Sequence, residues 1–98
     1  EGVTAGATVE VPVVVLNDRW KNWSGMVRLA LVSENDFQEG AEKLAPVVAE
    51  RSCRLQPVDR QTFIVPIQFP SQAGKFYLVA ELTDDGRPVR SVRRVEIE

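Results

Sequence analysis

The 98-residue sequence contains no histidine and a single cysteine, Cys53. Without histidine it lacks the commonest general base, the usual base of a nucleophilic triad and the commonest zinc ligand, so the chain is expected to be no enzyme in itself. One cysteine can close no internal disulfide, which leaves cytosol, periplasm and cell surface all open as compartments. A cationic block is missing too. Twelve Lys and Arg stand against 14 Asp and Glu, a net charge of −2. The charges are spread along the chain, so nucleic acid is not an expected partner. Apolar runs such as Val13–Leu16 are short, far below the roughly 20 residues that a membrane-crossing helix needs, and no membrane partner is expected. There is no glycine-rich phosphate loop, no internal repeat and no low-complexity segment.

What is present is alternation. Val9, Val11, Val13 and Val15 fall on one side of residues 8–16, opposite Thr8, Glu10 and Pro12, the two-residue period of a half-buried strand. Val14 and Leu16 break the polar side, and Pro12 points to an edge or a bulge. A second strand is read over Met26–Ser33, with Val27, Leu29 and Leu31 inward and Arg28 outward. Residues 34–46 lack alternation. Asp36 and Glu39 have capping-box spacing, but Gly40 weakens a helix, so a loop with at most one helical turn is expected. Val47–Leu55 can place Val47, Ala49, Cys53 and Leu55 on one side, although Arg51 shares it. Phe63, Val65, Ile67 and Phe69 alternate clearly, as do Phe76, Leu78, Ala80 and Leu82. A turn with Asp and Gly at 84–86 leads to a last strand holding Val89, Val92, Val95 and Ile97.

Six or seven short strands with turn signals between them predict an all-β fold, a two-sheet antiparallel sandwich. Residues 1–98 are expected to form one domain, since a chain of this length buries about two-thirds of its unfolded surface. Glu1 at the start and a strand running to Glu98 suggest a module cut from a longer multidomain protein. The expected core contains Val11, Val13, Val15, Val27, Leu29, Leu31, Phe63, Val65, Ile67, Phe76, Leu78 and Leu82.

Candidates for chemistry are few. Asp84 and Asp85 are adjacent, and Glu34, Asp36, Glu39 and Glu42 share one loop; both groups read as solvated turn residues rather than a catalytic pair across a cleft. The acidic loop lacks the regular ligand spacing of an EF-hand, so no metal or other cofactor is expected. Cys53 has Arg51 and Arg54 nearby but no base, and reads as a small buried hydrophobe. Arg87, Arg90, Arg93 and Arg94, interleaved with acids, read as a salt-laced edge. No catalytic residue is assigned.

Two tryptophans remain. Trp20 and Trp23 lie in the polar connector "NDRWKNWSG" between two apolar runs, and large rings are not needed for turn chemistry. Flat rings beside Asn17, Asp18 and Asn22 suit a sugar face. Alternatively, one ring closes the end of the sandwich while the other packs against a neighbouring domain, the reading preferred here. Trp20, Trp23 and Asp18 are thus the candidate contact residues.

The stretches "GATVEVPVVVLNDRWKNWSGMVRLAL" and "FIVPIQFPSQAGKFYLVAELTDDGRPVRSVRRVEI" resemble the immunoglobulin-like accessory domains of bacterial glycoside hydrolases, particularly family 2, the β-galactosidase and β-mannosidase group. The matching places are Asn17 with Asp18, Gly25, Pro70 with Gly74 and Phe76, and Asp85 with Gly86, Val89 and Ser91. "AGKFYLVA" is also similar to the immunoglobulin tyrosine corner, with Phe76 in place of the tyrosine and Leu78 in place of the second disulfide cysteine. Those departures favour disulfide-free bacterial modules. The resemblance implies a periplasmic or extracellular, non-catalytic domain that packs against or orients the catalytic barrel of its parent chain. Its implied partners are other domains of that chain. A carbohydrate-binding module using Trp20 and Trp23, and an adhesion or spacer repeat of a surface protein, are the alternatives.

Overall fold

The computed structural model describes residues 2–38, 44–84 and 86–98. Among these residues seven strands are formed: β1 (Gly2–Val3), β2 (Thr8–Asn17), β3 (Trp23–Ser33), β4 (Val47–Leu55), β5 (Asp59–Gln68), β6 (Gly74–Asp84) and β7 (Arg87–Ile97). They build two sheets, one ordered β1-β7-β6-β3-β4 and the other β2-β5. The molecule is an immunoglobulin-like β-sandwich with no helix among the described residues. One pairing departs from the antiparallel pattern: β1 runs parallel to β7, Gly2 opposite Glu96 and Val3 opposite Ile97.

The alternating valines of β2 face those of β5 in an unbroken ladder from Thr8 opposite Gln68 to Asn17 opposite Asp59. Odd-numbered residues on both strands point inward, so Val11, Val13, Val15, Val65 and Ile67 are buried. Pro12 and Pro66 both occupy even-numbered places in this ladder. Successive amides along a strand face opposite edges, so the ladder survives two prolines because both stand where the amide would face away from the partner strand. The same parity leaves the backbone groups of Val14 and Leu16 facing the free edge of β2.

The other sheet supplies Val27, Leu29, Leu31, Cys53, Leu55, Leu78, Val95 and Ile97 to the same core. Phe63, Phe76 and Leu82, expected at its centre, are only partly buried and pack around it. Arg51 does point inward, as its parity requires, and its guanidinium lies over the Phe63 ring, 5.4 Å from the centroid. It thereby tolerates the inner face by cation–π contact at an open margin. Val92 does not share the inward side with Val95 and Ile97 and is largely exposed, as is Val89.

A second, smaller apolar cluster covers the opposite face of the five-stranded sheet. Ala30, Val32 and Val79 are buried there beneath Phe37, Leu44 and Tyr77, with the Phe37 and Tyr77 rings 4.4 Å apart. Phe37 and Leu44, from the segment expected to be a loop with at most one helical turn, thus shield a sheet face. Asp36 accepts a bond from the Ser33 hydroxyl at 2.9 Å; Glu39, Gly40 and Glu42 lie outside the described residues.

Candidate functional site

The chain leaves β2 at Asn17 and re-enters a sheet at Trp23, three residues earlier than the alternation predicts. The short connector between them is held from beneath. Asn17 is 6% exposed, and its Nδ2 donates to the carbonyls of Lys21 at 2.8 Å and Gln56 at 2.9 Å. Its Oδ1 accepts the Arg19 amide at 3.3 Å. One amide side chain thus ties the connector both to itself and to the β4–β5 turn. The Val58 amide completes the tie by donating to the Arg19 carbonyl at 3.0 Å. Val58 has φ 51°, a left-handed conformation that a β-branched side chain adopts only under strain. That strain sits at the turn which meets the connector. Asn17, expected beside the tryptophans as a polar neighbour for a sugar face, is instead the anchor of the connector, and its position directly after an apolar strand is the signal of that role.

The two tryptophans diverge. Trp20 is 89% exposed. Trp23, the first residue of β3, is half-buried against the core, and its indole Nε1 donates to the Thr83 carbonyl at 3.3 Å, across the inner face to the end of β6. Its ring lies on Gly25, where a Cβ would come within 2.8 Å of Trp23 Cζ2. Trp23 is therefore an end plug, and Gly25 is required by that close approach rather than by a turn. Gly25→Ala is expected to push the rigid ring off its seat, cost about 1 to 3 kcal/mol and shift tryptophan emission to longer wavelength. Unchanged emission with unchanged denaturation would contradict this packing. Asp18 is exposed on the connector beside Arg19.

Beside Trp23 lies an open depression of about 470 Å³, lined by Asn22, Trp23, Ser24, Arg54, Leu55, Gln56, Asp59 and Gln61. Its polar groups are mixed in sign, and Asp59 is occupied with backbone amides, accepting those of Arg60 at 2.8 Å and Gln56 at 3.4 Å. The arrangement can hydrogen-bond a polar ligand. It does not assemble a nucleophile with a base.

The remaining candidates disperse. Arg90 pairs with Glu81 at 2.6 Å and Arg94 with Glu34 at 3.1 Å, so at least half of the arginine group is engaged in ion pairs. Asp85 lies outside the described residues. Among the described residues no three Cys, Asp or Glu side chains converge as a metal-binding group. Cys53 is 4% exposed on the core face of β4. Burial, and secondarily the negative charge of Asp59, push its thiol above the ordinary value of 9.0. A thiol raised in the folded state binds its proton after the unfolded thiol has lost it, so this group's contribution to stability is full below pH 9.0 and declines as pH rises past it. Cys53 is expected to resist alkylation near neutral pH until the chain is unfolded, which a thiol-labelling time course with and without denaturant measures.

Compared with models of known protein families and with curated proteins, the sequence matches none.

Proposed function

We propose that the chain is a non-catalytic accessory module that packs, through the end bearing Trp20, against a neighbouring domain of the same parent chain. The observation that carries this reading is a large indole held in solvent on a pinned connector. An exposed ring of this size leaves substantial apolar area in water, and the loop is built to present it rather than to fold it away. Leu16 and Val58 are also exposed near that end, which extends the apolar character of the surface. The resemblance to accessory domains of family 2 glycoside hydrolases supplies the setting: a periplasmic or extracellular enzyme whose catalytic carboxylates stand on another domain. That setting rests on the sequence stretches that resemble the family.

A second reading, carbohydrate binding, is favoured by one observation, the polar depression walled by Trp23. It has a single aromatic wall, because Trp23 spends one face on Gly25 and Trp20 stands apart in solvent. The experiment separates the two. In the isolated chain Trp20 is expected to be open to a collisional quencher and Trp23 shielded, no chromogenic glycoside is turned over, and mannan, galactan or xylan oligosaccharides release no heat that Trp20→Ala or Trp23→Ala removes. In the parent chain Trp20 becomes shielded. Continued quenching of Trp20 there would sink the packing role, and tryptophan-dependent heat would move the assignment to a carbohydrate-binding module.

A further inference from the structure

The two sheets differ in width, five strands against two, and the mismatch falls on the side of β7. Two depressions of about 160 and 210 Å³ lie along that flank and share Val13, Val14, Ala80 and Ser91, so they form one groove. The free edge of β2 from Val11 to Leu16 is one bank, residues of β7 including Val89 and Ser91 form the other, and Ala80 and Leu82 lie between. At about 3.3 Å per residue that stretch of β2 is roughly 17 Å long, enough to receive about five residues of extended chain.

We propose that this groove receives an extended polypeptide strand from a partner protein segment, added to the free edge of β2, antiparallel to β2 and parallel to β7, with apolar side chains at alternate positions turned onto Ala80 and Leu82. The floor is apolar at Ala80 and Leu82, charged side chains (Glu81, Arg90 and Arg93) stand at the margins, and one bank is an unpaired strand edge; that combination suits a polypeptide, whose main chain bonds the edge while every second side chain fills the groove. The orientation follows from β1. Gly2–Val3 already runs parallel to β7 at the far end of the same flank, with Val3 and Ala5 packed against the core. The groove continues that line towards Val89. Pro12 limits the contact. It has a carbonyl but no amide on the free edge, so donors come from Val14 and Leu16, which confines pairing to that half of β2 and sets its register.

The parity of β2 provides a variant that leaves the fold alone. Val14 occupies the same kind of place as Pro12, with its amide facing out of the β2–β5 ladder, so Val14→Pro removes an edge donor without breaking a ladder bond. The test is titration of the ¹⁵N-labelled chain with a peptide of about ten residues that alternates valine and threonine between terminal glutamates. Saturable amide shifts are expected at Leu16, Ala80, Leu82 and Val89. Val14→Pro should weaken the affinity about tenfold, the loss of a main-chain hydrogen bond. Ser91→Arg, at an exposed position, should abolish binding by filling the groove. An unresponsive spectrum, affinity indifferent to both variants, or shifts confined to the opposite edge at β5 would overturn the proposal. Concentration-dependent shifts at the same amides without peptide would assign the groove to a second copy and overturn the partner named here.

Discussion

Leu29→Ala is expected to destabilise the fold by about 3 to 5 kcal/mol, a large share of the roughly 5 to 15 kcal/mol that holds a domain of this size together. Leu29 is 1% exposed near the middle of β3. Its cross-strand partners on both sides are alanines, Ala49 on β4 and Ala80 on β6. Neither can lean into the space that a lost isobutyl group leaves, and the opposing valines of β2 are stiff at χ1. The site is therefore one that collapses poorly, the condition under which the cavity adds most to the transfer cost. Equilibrium denaturation in urea measures the loss; a shift of the midpoint equivalent to under about 1 kcal/mol would mean the wall of the core yields more than this packing allows.

Asn17→Ala comes next, at about 2 to 3 kcal/mol. The substitution removes two donated bonds and one accepted bond from a buried position and loosens every group they hold. Because the Lys21 and Gln56 carbonyls can recover water once the connector opens, the cost stays below that of Leu29→Ala. Its signature is local as well as global. Amide exchange at Val58, bonded to Arg19, should quicken more than exchange in β3, and the environment of Trp20 should become less uniform. Equal acceleration throughout the chain would show that Asn17 acts only through global stability.

Much of this architecture is written in short-range pattern. The run Phe63, Val65, Ile67, Phe69 has one physical solution, a strand with one wet face, and the valines of β2 have the same. Both sheets follow from such runs, and so does the expectation that Pro12 marks an edge or a bulge. What escaped was set by contacts distant in sequence. Trp23 looks like part of a polar connector because the carbonyl that fixes its indole belongs to Thr83. Arg51 contradicts its own strand until Phe63 is seen beneath its guanidinium. β1 is two residues long and carries no period at all. The outer cluster was partly legible. Leu29 to Val32 and Phe76 to Ala80 are continuous apolar runs, and a run without alternation signals a strand covered on both faces. The cover, Phe37 and Leu44, comes from a segment whose own pattern says only loop.

The candidate site was less legible than the fold for the same reason. Composition excludes histidine chemistry outright, and the tryptophan pair draws attention to one end of the molecule. Which ring is spent on packing depends on Gly25 and Thr83, and which residue fixes the loop depends on Gln56, 39 positions beyond Asn17. The groove beside β2 was beyond reach, since it is defined by the unequal widths of two sheets.

The pairing of Gly2 with Glu96 has a kinetic meaning. Those residues are far apart in sequence, so bringing them together closes a long loop, and that entropy is spent before the contact returns anything. The β2–β5 ladder likewise joins strands that β3 and β4 separate in sequence. Among the described residues only β3–β4 and β6–β7 join sequence neighbours within a sheet. Topology thus predicts two hairpins early, the β3–β6 and β2–β5 pairings after them, whose nearest partners (Ser33 with Phe76, Asn17 with Asp59) are similarly far apart in sequence, and β1 last, on the millisecond-to-second scale common to sandwiches rich in distant pairings.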